Sequence, residues 1–218
     1  MTDVTALGAG LVYADQLRTV EGFKVVDRFG AKTSSSLHAK PNAGHPALAL
    51  ILPTCNEAVA ALGATGKFDG LLVLCMLYQE NRTFTARSST VAGTSTLIAR
   101  GLGQFLYGTG ALTLKPRIED FYNPGDAVYA TVRYLLDYCL KSATEKGKTL
   151  PKSTILGYAV MMYNAGPNRS KLAYYDSLSV VNKVNGQRTD VTCKKYAREI
   201  NEHYKKFAGS GTGPLTFV

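Results

Sequence analysis

Apolar residues recur along most of this chain at the spacing of packed helices. Ala47 to Leu62 predicts a helix in which Pro53 marks the start or a kink. The segment from Phe68 to Glu80 is apolar on nearly every side, so its helix is expected in the core. Later helices are predicted to follow Pro124, to run from Ile155 to Asn164, and to run from about Asp190 to Phe207. The predicted fold class is therefore mainly α, with few strands.

Composition and charge narrow the functional classes. Of the 218 residues, 45% are hydrophobic and 19% are charged, which excludes a disordered chain and allows one sizeable core. The formal net charge of +9 favours an anionic partner: nucleic acid, a membrane surface or a cell-wall polymer. Met1 to Thr5 lack the basic and apolar runs of a secretory signal, and Pro53 interrupts the most apolar stretch. We therefore expect membrane contact at most, without an integral segment. The four cysteines have no Cys-x-x-Cys spacing and leave disulfides undecided.

The end of the apolar helix contains a candidate general acid. Glu80 follows a run of apolar residues, so its carboxyl group is expected to be partly buried. Burial disfavours the charged form and raises the pKa toward the value that an acid needs near neutral pH. The alternative is a surface glutamate paired with Arg82 or Arg87.

Two further segments contain candidate binding residues. In the loop Gly101-Leu102-Gly103-Gln104, the glycines allow close backbone approach and Gln104 offers an amide that donates and accepts. The segment from Met161 to Pro167 presents Tyr163 and Asn164 at the end of a helix. Each segment taken alone is more simply an ordinary turn or a capped helix end.

Taken in order, these motifs resemble those of the lysozyme-like lytic transglycosylases, which cleave the glycan strands of peptidoglycan. That family has an apolar helix ending in Glu, Ser, any residue, Phe, followed by Gly-Leu-Met-Gln and then Ala-Tyr-Asn-Ala-Gly. The counterparts here are Glu80 to Phe84, Gly101 to Gln104, Met162 to Gly166, the helix after Asn123-Pro124, and a terminal tyrosine-bearing helix from Tyr196 to Tyr204.

The resemblance also implies a domain organisation. It covers residues 66–207, which are expected to form a lysozyme-like catalytic domain. Residues 1–65 are then an N-terminal extension packed on that domain. Residues 208–218 are rich in Gly and Ser and are expected to be a flexible tail.

Three departures from the family pattern carry their own expectations. Asn81 stands where the family has Ser, and is expected to hydrogen-bond substrate in a different geometry. Gly103 stands where the family has Met, which predicts a wider subsite. Phe84 lies one residue later than in the family, which predicts a remodelled turn after Glu80.

The implied mechanism needs a single carboxylate. Hydrolytic glycosidases place two carboxylates about 5–9.5 Å apart, whereas the sequence from Glu80 to Glu119 contains no other acidic residue. In the family mechanism Glu80 would protonate the bond between MurNAc and GlcNAc, then take the proton of the MurNAc 6-hydroxyl as a 1,6-anhydro ring closes. Tyr163 is expected to hydrogen-bond Glu80 or substrate, and Gln104 and Asn164 to orient the sugar, without a metal or cofactor. A hydrolase with a distant second carboxylate remains an alternative, and the candidates for that carboxylate are Asp120, Asp126 and Asp137.

The atypical N-terminal segment and the basic charge suggest a bacteriophage enzyme. The chain is similar to the muralytic virion proteins of enveloped double-stranded-RNA bacteriophages. That similarity implies wall penetration at entry, host lysis at exit, and a place between the envelope and the nucleocapsid, whose proteins are then candidate partners. The substrate would be peptidoglycan in the host periplasm, and no nucleic acid is required.

Two other functions remain open. A peptidoglycan endopeptidase would need a zinc site or a Cys–His pair, for which Cys55 and His45 are the nearest candidates in sequence. A basic structural or nucleic-acid-binding protein is the non-enzymatic alternative, although the lysines of the last helix alternate with an apolar stripe expected in the core. That stripe consists of Tyr196, Ile200, Tyr204 and Phe207.

Overall fold

The computed structural model describes residues 40–82, 84, 88–90, 98–106, 124–184 and 187–217, and these are mainly helical. The helices are α1 (Pro46–Leu50), α2 (Leu52–Ala61), α3 (Gly70–Glu80), α4 (Pro124–Arg133), α5 (Lys141–Lys146), α6 (Lys152–Ala165), α7 (Ala173–Ser177) and α8 (Cys193–Ala208). A π-helical segment, Tyr134–Leu140, joins α4 to α5. The strands are β1 (Ser88–Thr90), β2 (Ile98–Arg100), β3 (Ser179–Val184) and β4 (Gln187–Thr192). The predicted mainly α class is confirmed.

The helix predicted between Ala47 and Leu62 is two helices that meet at Ile51. Pro46 begins α1 and Pro53 lies in the first turn of α2, where a missing backbone N–H leaves no helical hydrogen bond unmade. The Nδ1 atom of His45 accepts from the Ala47 N–H at 3.0 Å and caps α1. Pro53 therefore marks a helix start, one of the two outcomes expected.

Helix α3 lies in the centre of the molecule, as its sequence predicted. Asp69 caps it by accepting from the Leu72 N–H at 2.9 Å, and nearly all its residues from Gly70 to Tyr78 are buried. Helices α2, α4 and α8 pack around it. A helix buried on all sides holds its last residue, Glu80, in a fixed position.

One hydrophobic core joins the described part of the N-terminal segment to the rest of the chain. Ala47, Ile51 and Cys55 are fully buried in the same cluster as Leu72 and Ile200. Residues 46–64 thus share the core of the predicted catalytic domain. Residues 1–39 of the predicted extension lie outside the described residues.

Two antiparallel hairpins accompany the helices. Strand β1 pairs with β2, and β3 pairs with β4 in a register that joins Ser179 to Thr192 and Val184 to Gln187. The β4 strand includes Asp190, so the last helix begins at Cys193 rather than near Asp190. The sequence analysis did not predict β3 and β4, although several valines on both sides of an Asn-Gly pair are typical of a hairpin.

The C-terminal residues pack against the domain and correct the prediction of a flexible tail. Leu215 is 5% exposed, and its N–H donates to Asn201 Oδ1 at 3.1 Å. The Thr216 N–H donates to the Ser153 carbonyl at 3.3 Å. The prediction of mobility came from the glycine and serine content. That content does not take account of a single buried apolar residue such as Leu215. Among the described residues, every helix is too short or too polar to cross a membrane.

Candidate active site

Glu80 occupies the last position of α3 and is partly exposed. Its Oε1 atom accepts a hydrogen bond from the Tyr196 hydroxyl at 2.5 Å. Burial raises the pKa of Glu80 from 4.5 to about 7, and the Tyr196 hydrogen bond lowers it in part. Near neutral pH the carboxyl group is therefore poised between its acid and base forms.

Tyr196 is the site residue that the sequence analysis placed in the core. It lies in α8 and is 5% exposed. Burial, with the nearby Glu80 carboxylate, raises the pKa of Tyr196 well above its ordinary value, so its hydroxyl stays protonated and donates. The apolar periodicity of α8 predicted the buried face correctly. The terminal tyrosine-bearing helix of the resembled family is the signal that could have indicated Tyr196 as a site residue.

Tyr163 is close to Glu80 but does not bond to it, which corrects one of the two roles expected for it. Its hydroxyl donates to the Gly103 carbonyl at 3.0 Å and lies 3.3 Å from Thr131 Oγ1. Burial is the largest cause of the raised pKa of Tyr163, and the Glu80 carboxylate raises it further. Tyr163 therefore ties α6 and α4 to the glycine loop beside the candidate acid. Its contact with substrate stays a prediction.

The loop from Gly101 to Gln104 is a tight turn closed by reciprocal backbone bonds between Arg100 and Phe105, each 3.0 Å. Gly101 has a φ of 71° and Gln104 a φ of 49°, both in the left-handed region. The Gln104 Nε2 group donates to the Gly101 carbonyl at 2.7 Å, and Leu102 is fully buried beneath the loop. Part of the Gln104 amide thus stabilises its own loop, and its contact with a sugar stays a prediction.

Gly103 does not widen a subsite, which corrects the expectation from its departure from Met. A Cβ atom at Gly103 would lie 2.5 Å from Phe105 Cε2 and 2.8 Å from Thr131 Oγ1. The ring of Phe105 occupies this space and packs edge-on against Tyr134 and Tyr163. Glycine is required here because an aromatic ring fills the room that a side chain would need.

The turn after Glu80 places Phe84 in the left-handed region, and its remodelling relative to the family stays a prediction. Asn81 caps α3 and is fully buried, and its carbonyl accepts from the Phe84 N–H at 2.9 Å. Phe84 has a φ of 48° and packs its ring against Tyr78. The left-handed backbone at Phe84 brings its ring into the core despite the extra residue. Because Asn81 is fully buried, its side chain is not accessible for the predicted hydrogen bond with substrate.

A polar network behind Glu80 joins α3 to α8. The amide of Gln79 donates to Glu199 at 2.7 Å and accepts from Arg82 at 2.7 Å. The Nε2 atom of His203 lies 2.8 Å from the same Gln79 oxygen, so this nitrogen carries the hydrogen. Burial, with Arg82 and Lys206, lowers the pKa of His203 to about 4. Arg82 thus pairs with Glu199, at 3.9 Å, and not with Glu80.

Other expected residues form no hydrogen bond with Glu80 in the described part of the chain. Asn164 is half-buried in the last turn of α6, and among the described residues no hydrogen bond joins it to Glu80. Asp137 pairs with Arg133 at 3.7 Å, Asp126 begins α4, and Asp120 lies outside the described residues.

The residues considered for peptide cleavage are buried. Cys55 is fully buried, and burial raises the pKa of its thiol, which opposes formation of a nucleophilic thiolate. His45 is 2% exposed and caps a helix. The four cysteines are unpaired. Among the described residues no three His, Cys, Asp or Glu side chains are grouped as metal ligands.

No family model matches the chain, no curated protein matches it, and no solved structure matches it. The link to the lytic transglycosylases therefore depends on the motifs and on the geometry described above.

Proposed function

We propose that this protein is a peptidoglycan lytic transglycosylase with a lysozyme-like domain, in which Glu80 is the catalytic acid and base. The observation that carries the proposal is the carboxyl group of Glu80. It ends a buried helix, has a pKa raised to about 7, and accepts from a buried tyrosine hydroxyl. Tyr163, near the end of α6, bonds to the Gly103 carbonyl and lies near enough to Glu80 for the carboxylate to raise its pKa.

The hydrogen bond from Tyr196 assigns different roles to the two oxygens of Glu80. Tyr196 donates to Oε1, so the acidic proton of the neutral form sits on Oε2. That proton would pass to the glycosidic oxygen as the bond to MurNAc C1 breaks, leaving GlcNAc with a 4-hydroxyl. The resulting carboxylate stays stabilised by the Tyr196 hydroxyl.

The second step would return the proton to Glu80. The MurNAc 6-hydroxyl attacks C1, the 1,6-anhydro ring closes, and Oε2 takes the hydroxyl proton. The substrate's own N-acetyl group would stabilise the positive charge at C1, so a second protein carboxylate is unnecessary. In support, burial and the Tyr196 hydrogen bond account for the pKa of Glu80 among the described residues, and no carboxylate of those residues contributes.

The proposed setting is a bacteriophage particle. An enzyme of this class carried between an envelope and a nucleocapsid would open the host wall at entry and again at lysis. The net charge of +9 supports action on an anionic wall.

Glu80→Gln tests the assignment of the acid. The amide keeps an oxygen that accepts from Tyr196 but has no proton to give at neutral pH. We expect release of soluble fragments from purified peptidoglycan to fall by at least about 100-fold. Fragment release within a few fold of wild type would show that Glu80 is not the acid.

The stability of the same variant separates catalysis from folding. The pKa of Glu80 rises from 4.5 to about 7 on folding, so its ionisation opposes folding as the pH rises through that window. Glu80→Gln should therefore unfold with a free energy about 1–3 kcal/mol higher than wild type at pH 8, and equal to it at pH 4. Urea unfolding at the two pH values measures this, and equal stabilities at pH 8 would contradict the burial of the carboxyl group.

A further inference from the structure

A group of cations lies directly beyond the end of α6. Residues 141–148 and 166–172 together contain five cationic side chains and one acidic side chain. The two segments are in contact, because a Cβ atom at Gly147 would lie 2.9 Å from Leu172 Cδ1. We call Lys146, Lys148, Arg169 and Lys171 the cationic patch.

The patch has a fixed framework. Lys146 Nζ donates to Ser142 Oγ at 2.6 Å and to the Pro167 carbonyl at 2.8 Å. The Tyr175 hydroxyl donates to the Gly166 carbonyl at 2.7 Å and accepts from the Arg169 N–H at 3.3 Å. The loop after α6 is thus held against α5 and α7, which fixes the backbone from which its cationic side chains extend.

The outer cations of the patch lack acidic partners. Lys148, Arg169 and Lys171 are exposed, and none forms an ion pair with a carboxylate of the described residues. In α8, by contrast, Lys194 pairs with Asp176 and Lys205 pairs with Glu202. Unpaired like charges on one surface repel each other, so an anion bound there would relieve the repulsion.

The position of the patch connects it to the candidate active site. Gly166 follows Tyr163 by three residues, about one helical turn, and Tyr163 is coupled electrostatically to Glu80. A polymer that binds at Glu80 and extends past the end of α6 would meet this surface. Tyr174, at 51% exposure, is the only exposed large hydrophobic side chain among the described residues, which is too little apolar surface for insertion into lipid.

We infer that the cationic patch binds the carboxylates of peptidoglycan stem peptides and so holds the strand that Glu80 cleaves. This inference rests on the proposed function, since it assigns the anion from the position of the patch beside that site.

The test measures binding without cleavage. Each variant is made in the Glu80→Gln chain and sedimented with purified peptidoglycan at low ionic strength. Replacing Lys148, Arg169 and Lys171 by Gln should weaken binding about tenfold. The matched control replaces the exposed Lys40, Lys67 and Lys152 by Gln, which removes the same charge, and should bind within about twofold of the parent. Equal losses in both variants, or no loss in the patch variant, would overturn the inference.

Chemical neutralisation of the wall tests the partner group. Amidating the stem-peptide carboxylates should weaken binding of the parent about tenfold and leave the patch variant unchanged. Patch-dependent binding that is tighter to phosphatidylglycerol vesicles, or to single-stranded RNA, than to peptidoglycan would overturn the inference. A wild-type chain that releases no glycan, while binding still depends on the patch, would overturn the proposed cleavage and keep the wall-binding surface.

Discussion

At the scale of single residues, the proposed chemistry depends on the pair formed by Glu80 and Tyr196. Burial raises the pKa of the carboxyl group, and the tyrosine hydroxyl opposes this rise by stabilising the charged form. The balance leaves Glu80 able to release and recover a proton near neutral pH.

Tyr196→Phe should shift the pH dependence of activity. The hydroxyl lowers the pKa of Glu80, so its removal raises that pKa further and keeps the acid protonated to higher pH. We expect the alkaline limb of the kcat/KM profile to move upward from about pH 7, with a lower maximum because the carboxylate loses its partner.

Tyr163→Phe is the matched control, since it removes a hydroxyl that bonds to Gly103 rather than to Glu80. It should lower activity modestly without moving the alkaline limb. A limb that moves in Tyr163→Phe and not in Tyr196→Phe would reverse the roles assigned to the two tyrosines.

Residue roles were only partly predictable from sequence. A glutamate that ends an apolar helix is partly buried by its neighbours, so the raised pKa of Glu80 could be expected. Tyr196 could not be separated from Ile200 by periodicity, because core and site residues of α8 share one face. The bond of Tyr163 to Gly103 depends on how α6 meets a loop distant in sequence, which local patterns do not encode.

At the scale of elements, the loop Gly101 to Gln104 shows that the effect of a single glycine depends on the residues packed around it. The absence of a side chain at Gly103 suggested open space. Phe105, two residues later, folds back and fills that space, and the Tyr163 hydroxyl holds the Gly103 carbonyl. Phe105 and Tyr163 thus accommodate the glycine within the packing of the loop.

Gly103→Ala should destabilise the protein by about 1–3 kcal/mol, because the new methyl group meets Phe105 and Thr131 in a packed region. Urea unfolding of the variant measures the loss. Gly211→Ala is the control, since a Cβ atom there meets nothing within 4 Å. A Gly103→Ala variant as stable as Gly211→Ala would show that Phe105 moves aside easily.

The ends of several helices are set by a single residue, and such ends can be predicted from the sequence. Pro53 and Asp69 marked helix starts, and Gly166, with a φ of 81°, ended α6. The β3–β4 hairpin was missed because its strands lie between strong helical patterns, and the helical periodicity was extended back to Asp190.

At the scale of the whole molecule, the described residues are organised around α3 by one continuous core. Helices α1 and α2, assigned from the family resemblance to an extension, contribute to this core. The last residues cover α6 and α8 through Leu215, and Phe217 lies under Arg198, 5.8 Å from its guanidinium carbon. The C-terminal segment therefore stabilises the two helices that hold Tyr163 and Tyr196.

Leu215→Ala should lower the free energy of unfolding by about 2 kcal/mol, since it removes a buried side chain at the edge of the core. Thermal unfolding compares it with Thr212→Ala, an exposed change in the same segment. Equal stability of the two variants would restore the flexible tail that composition predicted.

The central claim is that Glu80 cleaves glycan strands by transglycosylation, and the products released from purified peptidoglycan test it most directly. Mass spectrometry should find fragments ending in 1,6-anhydro-MurNAc. Reducing MurNAc ends would contradict ring closure and require a second carboxylate, whereas intact glycan strands with newly freed peptide amines would contradict the role of Glu80 itself.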